Sequence, residues 1–163
     1  MFRTIVWATD GSEHADSTLG LVAELARVHG SRIVAVHIDQ RFHGGRLDGG
    51  PLLADEEDLV AKIEAQVKEL DDNGFAARLE LVTTDRHDTS ALIAETAVSL
   101  GAGLIVIGTH GYGEFEAVVM GSVARGLTHD AHCPVLVVPP KAAPEADAIS
   151  SGEDRPAHVG LGF

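Results

Sequence analysis

The sequence predicts an α/β fold, a doubly wound five-stranded parallel sheet with helices on both faces. Two observations carry this. Apolar, β-rich runs alternate along the whole chain with segments whose apolar residues recur at helical spacing. Several of those runs are apolar throughout, as in strands covered on both faces, rather than alternating as in a half-exposed sheet.

The first strand is Arg3 to Thr9, and it ends in Asp10-Gly11-Ser12, a turn that also caps a helix. Ala15, Leu19, Val22 and Ala26 then fall on one helical stripe, which Gly30 stops. Arg32 to Ile38 is nearly continuous in β-branched and small apolar residues and gives the second strand. From Asp39 to Pro51 the chain carries Gly44, Gly45, Gly49 and Gly50 among charges, which reads as a mobile surface loop in which His43, beside Arg41 and Arg46, is solvated. Leu59, Ile63, Val67 and Leu70 mark a second amphipathic helix over Ala54 to Asn73, its charged face turned to solvent.

Ala77 to Thr83 alternates loosely and gives the third strand. Asp88 or Thr89 caps a helix through Ala91, Ile93, Ala97 and Leu100, ended by Gly101-Ala102-Gly103. Leu104 to Ile107 is a short buried strand running into Gly108, and Val123, Ala124 and Leu127 mark the inner face of the helix that follows. Pro134 to Val138 closes the sheet. The domain is therefore expected over residues 1–140. Residues 141–163, rich in Ala, Pro, Ser, Gly and acids, are expected to form a disordered tail, because little apolar content offsets the entropy of ordering.

Composition narrows the function classes. The 163 residues carry 25 Asp and Glu against 12 Lys and Arg, a formal charge of −13 that repels nucleic acid and anionic membranes. A signal core and an apolar run of membrane-spanning length are both missing, so a soluble cytoplasmic protein is expected. Cys133, the single cysteine, cannot form an internal disulfide and reads as a small buried hydrophobe.

The stretch Gly108-Thr109-His110-Gly111, nine further residues and then Gly121-Ser122 sits between a strand and a helix start. Glycine there lets backbone approach a ligand, and the free N–H groups of a helix start attract anions. In a doubly wound sheet the switch point sets the end of the first strand beside that of the fourth, which makes Asp10 and Gly108 neighbours. Nucleotide binding is the function these residues point to.

These residues resemble the universal stress protein family, in its ATP-binding branch, over about Phe2 to Pro140. The family's spaced signature is present as Gly108, Gly111, Gly121 and Ser122. Ala-Thr-Asp-Gly-Ser at 8 to 12, Val-His-Ile-Asp at 36 to 39 and Cys-Pro-Val-Leu-Val-Val at 133 to 138 support it. The resemblance implies an adenine nucleotide alpha hydrolase-like fold. It also implies that Asp10 meets ribose hydroxyls or a magnesium ion, that the backbone at Ile38 pairs with adenine, and that Ile107 and Gly108 flank base and ribose. Gly111, Gly121, Ser122 and Val123 are then the phosphate cradle, with Ala8, Thr9 and His110 completing the candidate set. Ala8 departs from the proline of many relatives.

Between Gly111 and Gly121 stand Tyr112, Glu114, Phe115 and Glu116 but no Lys or Arg, where many relatives place a base. A charge-assisted hydrogen bond contributes roughly 1.5 to 3 kcal/mol, so triphosphate binding is expected to be weakened by about tenfold to a hundredfold. The expected ligand is ATP, or else AMP or cyclic AMP, with magnesium offsetting the acids.

No catalytic constellation stands out. His110 lacks a nucleophile or an orienting partner, no Gly-Lys-Ser or Gly-Lys-Thr makes a P-loop, and Asp10 lacks the acidic pair and lysine of a phosphoacceptor site. His129, His132 and Cys133 offer no fourth metal ligand. The expected role is signalling, in which the bound nucleotide alters loop order and affinity for an unknown protein partner, with at most slow hydrolysis. A nucleotide-free homodimeric interaction module is the alternative. The resemblance implies a homodimer, and an exposed last strand, Val135, Leu136, Val137 and Val138, offers an edge for it.

Overall fold

A computed structural model describes residues 2–40, 53–109 and 120–140. Of the mobile loop expected over Asp39 to Pro51, residues 41–51 lie outside the described residues, as do His110 and Gly111 of the glycine motif and the expected tail over 141–163; Asp39 and Gln40 instead continue the second strand, paired with Thr83 and Thr84.

The elements run β1 (Thr4–Ala8), α1 (Glu13–Asp16), α2 (Leu19–His29), β2 (Arg32–Gln40), α3 (Leu53–Asp72), β3 (Ala77–Thr84), α4 (Thr89–Ser99), β4 (Leu104–Gly108), α5 (Ser122–Asp130) and β5 (Val135–Val138). The strands form one sheet in the order β3-β2-β1-β4-β5, every pairing parallel. This is the expected doubly wound architecture.

Alternation along β1 divides the core. Ile5 and Trp7 join Val22, Ala26, Ile63 and Val67 on the face covered by α2 and α3. Val6 and Ala8 join Ile93, Ala97, Ala124 and Leu127 on the face covered by α4 and α5. All five β1 residues are buried, as are Ile33 to Val36 of β2 and all of β4. Central parallel strands must be apolar on both sides, which is why their sequences lack alternation. β3 at the sheet's edge alternates instead. Cys133 is half-buried against the second core, where burial pushes its thiol pKa up and makes it a poor nucleophile.

The stripe from Ala15 to Ala26 was expected to lie on a single helix. The chain instead makes one turn of α1, resets at Ser17 and Thr18, and starts α2 at Leu19. The reset places the Thr18 hydroxyl against the Trp7 indole, whose Nε1–H donates to Thr18 Oγ1 at 2.9 Å, while that hydroxyl donates to the Ala15 carbonyl at 2.7 Å. Trp7 and Thr18 are both fully buried, so an unbroken helix would strand the indole N–H. Gly30, in the left-handed region at φ 62°, ends α2 as its position predicts.

Thr18→Val keeps the shape and removes the acceptor. The expected loss is about 1–3 kcal/mol of stability, the cost of an unsatisfied buried donor, read as a lower urea midpoint at unchanged slope.

Candidate functional site

The site is built where β1 and β4 end side by side. Ala8 stands opposite Ile107 in the β1–β4 register, and the two chains then leave for opposite faces, β1 toward α1 and α2, β4 toward α5. Thr9 continues from β1 by donating its N–H to the Val36 carbonyl at 3.1 Å. From there Asp10, Gly11 and Ser12 form a tight turn.

In that turn Thr9 Oγ1 accepts from the Gly11 N–H at 3.0 Å, and Asp10 Oδ1 accepts from both the N–H and the hydroxyl of Ser12, at 3.0 and 2.6 Å. The Ser12 hydroxyl in turn accepts from the Ala15 N–H and caps α1, as the sequence predicts. Gly11 sits at φ 74°, a conformation that side chains rarely adopt, and a Cβ there would lie 2.7 Å from Leu59 of α3. The Asp10 carboxylate is thus fixed in direction by its own turn, at a half-buried position.

On the β4 side the buried Ile107 and Gly108 lead to Thr109, whose N–H donates to the Val138 carbonyl at 2.9 Å. The chain returns at Gly121, whose N–H donates to the Thr109 carbonyl at 2.7 Å, and this bond holds the start of α5 against the end of β4. Gly121 is the N-cap and has no side chain to satisfy the first turn. The N–H groups of Ser122 and Val123 therefore have no partner within the helix, and Ser122 is exposed. Chemically this is an anion-receptive helix start beside a strand-end carboxylate.

Ile38 is half-buried at the end of β2, on the other side of β1 from Ile107, and packs at the margin of the second core. Ala8, Thr9, Asp10, Ile38, Ile107, Gly108, Gly121, Ser122 and Val123 therefore share the carboxyl edge of three adjacent strands and the helix start above it.

Three further residues at this edge escape a reading of the sequence. His37 is buried, with Nδ1–H donating to the Thr9 carbonyl at 2.9 Å and Nε2 lying 2.6 Å from Glu56 Oε1. A carbonyl only accepts, which assigns a proton to Nδ1 and turns Nε2 toward the Glu56 carboxylate. Lys62 donates to the Gly11 carbonyl at 2.7 Å and pairs with Asp16, which also accepts from Gln66. The charged face of α3, expected to be merely solvated, is therefore partly a clamp on the β1 turn. A titratable residue inside an otherwise apolar run was the available signal for His37. Nothing local pairs it with Glu56, because the connection over 41–52 separates them.

Among the described residues no three His, Cys, Asp or Glu side chains converge on a metal position, and no helix is long and apolar enough to cross a membrane.

Comparison with known proteins agrees with this fold. The sequence profile of the universal stress protein family matches residues 1–139. A universal stress protein of Thermus aquaticus is 32% identical over 145 residues, spanning 85% of this chain and 99% of that protein. A solved Methanocaldococcus jannaschii protein superposes with a TM-score of 0.70 at 23% identity, over 88% of this chain and 99% of that one. The Archaeoglobus fulgidus universal stress protein, solved in complex with dAMP, gives a TM-score of 0.61 at 25% identity, over 85% and 98%.

Proposed function

The chain belongs to the universal stress protein family, and from that premise we propose that it binds an adenine nucleotide at the carboxyl edge between β1 and β4. The observation that carries this reading is the hydrogen bond from Gly121 to Thr109, which sets helix-start amides without an intrahelical acceptor at the same sheet edge as the turn that holds Asp10. The dAMP complex of the Archaeoglobus fulgidus relative supports it.

In this reading the backbone at Ile38 meets the base, Ala8, Thr9, Ile107 and Gly108 border base and ribose, and Asp10 faces the ribose hydroxyls. Gly121, Ser122 and Val123 receive phosphate, with His110 and Gly111 contributed by the connection between them. Magnesium fits the hard carboxylate oxygens of Asp10 together with phosphate oxygens. Because 112–120 supplies no Lys or Arg, AMP and cyclic AMP are the favoured ligands over ATP. The bound nucleotide orders the connections around the site and so changes affinity for a protein partner in the cytoplasm. Hydrolysis, in this reading, is at most slow.

The direct test is to denature purified protein with heat, identify any released ligand by mass spectrometry, and titrate ATP, AMP and cyclic AMP with and without magnesium. Saturable binding of one of these is expected. Failure of all three leaves the nucleotide-free interaction module as the function.

We also propose that two copies pair through β5. Within the described residues it is an edge strand with every residue half-buried. The Pro134 and Val138 carbonyls accept from the Ile105 and Thr109 N–H groups, so the two-residue period of a strand turns the backbone groups of Val135 and Val137 away from β4. Val137→Pro removes an outward N–H and leaves the β4 ladder whole. The dimer is expected to weaken roughly tenfold or more, measured by light scattering across a dilution series. A wild-type chain already monomeric at micromolar concentration would exclude this pairing.

A further inference from the structure

At the opposite end of the sheet, where the strands begin, a hollow of about 780 Å³ is lined by Arg3, Arg27 and Arg32, with Thr4, Ser31 and Phe75 among its other walls. A five-residue strand is roughly 17 Å long, so this hollow lies well away from the β1 and β4 ends. Among the described residues no acidic side chain lines it.

The charge arrangement is unusual for this chain. Acids outnumber bases 25 to 12, and Lys62, Lys68, Arg78 and Arg86 are each paired with a carboxylate. Arg3, Arg27 and Arg32 are exposed, and none has a carboxylate partner among the described residues. Three arginines lining one concavity, with no carboxylate partner among the described residues, raise the local potential, and salt screens the opposing net charge within about 8 Å.

The groups are also held. The Arg27 guanidinium lies over the Phe75 ring, 5.2 Å from its centroid. Arg32 is fixed by donating Nε–H to Thr4 Oγ1 at 2.7 Å and Nη2–H to the Leu100 carbonyl at 3.0 Å, which leaves its other N–H groups for a ligand. The Arg3 guanidinium has no hydrogen-bond or ion-pair partner among the described residues, though the Arg3 carbonyl accepts from the Arg32 N–H at 3.1 Å. Two oriented forks and a third free one match the paired oxygens of phosphate groups. The carbonyl ends of α2 and α4 reach the same rim at Gly30 and Gly101, and neutralising them is the competing role for these arginines.

We propose that this hollow is a second anion site, independent of the nucleotide site, which takes a compact diphosphate group. Free inorganic diphosphate and the diphosphate of a nucleotide share that chemistry. The test titrates inorganic pyrophosphate, and separately ADP, into the 15N-labelled full chain carrying Gly121→Val, so that the other edge is obstructed. Saturable amide shifts are expected at Arg3, Ser31 and Gly74, with affinity falling roughly tenfold in each of Arg3→Ala and Arg27→Ala and holding in Arg125→Ala. Stronger binding of pyrophosphate than of ADP assigns the free anion, and the reverse assigns the nucleotide. Shifts that do not saturate, that centre on Ser122 and Val123, or that weaken equally in Arg125→Ala would overturn the proposal. Thermal scans of both arginine variants establish that folding is intact, since among the described residues neither the Arg3 nor the Arg27 side chain makes a hydrogen bond that alanine would remove.

Discussion

Gly121→Val is expected to abolish adenine-nucleotide binding while the protein stays folded. The two effects separate because Gly121 has φ −64° and ψ 162°, an extended conformation open to any residue. The backbone therefore does not demand glycine there. What a side chain removes is access to the helix-start amides beside Thr109, and a branched one stands where phosphate would approach. Hydrogen bonds to a charged group are each worth roughly 1.5–3 kcal/mol, so losing two weakens binding by a hundredfold or more. The structural cost is about 1 kcal/mol for a poor N-cap residue, a melting-point drop of roughly 2–4 °C. Calorimetric titration with AMP and a thermal scan read both quantities. Wild-type affinity in this variant would mean that phosphate does not lie at the start of α5.

Gly126→Val carries the largest expected effect on stability. Gly126 lies in α5 where it crosses α4, and an added Cβ would fall 2.6 Å from Ser90 Cβ and 2.3 Å from its hydroxyl oxygen. The Cβ moves only with its backbone, and Ser90 is further held by donating to Asp130 at 2.8 Å and lying 3.1 Å from Asp88, the N-cap of α4. Relief therefore requires the helices to part, which loosens the packing among Ile93, Ala97, Ala124 and Leu127. Overpacking of this kind costs about 1–3 kcal/mol and sometimes more, against a few tenths regained in helix propensity. A melting-point fall of roughly 5–10 °C is expected. The sign of a smaller change isolates the cause. In a Ser90→Gly background Gly126→Ala has room, and the usual preference of helices for alanine should make it neutral or stabilising by up to about 1 kcal/mol. Equal destabilisation in both backgrounds would show that the contact with Ser90 is not what excludes a side chain at 126.

The glycine at 126 had no distinguishing mark in the sequence, whereas Gly121 did, because it stands at a fixed spacing from Gly108 and Gly111. That contrast runs through the molecule. β1, β2 and β4 were legible because burial on both faces leaves an unbroken apolar run. Ser12, Gly30 and Asp88 were legible because a cap is a local backbone requirement. The reset at Ser17 and Thr18 was not, since its cause is the indole of Trp7, eleven residues earlier and in another element. The clamp of Glu56 on His37 and of Lys62 on Gly11 was hidden for the same reason.

By itself the sequence determined the alternation of strands and helices, the parallel sheet and the family, because periodicity, capping and a glycine-spaced motif are properties of neighbouring residues. Only the tertiary structure decided that α3 grips the β1 turn, that Gly126 is the contact between α4 and α5, and that three arginines distant in sequence meet at the sheet's other end. Those outcomes depend on which helix packs on which face and in what register. Such choices are fixed by the summed packing of the whole core, and no short window of sequence records that sum.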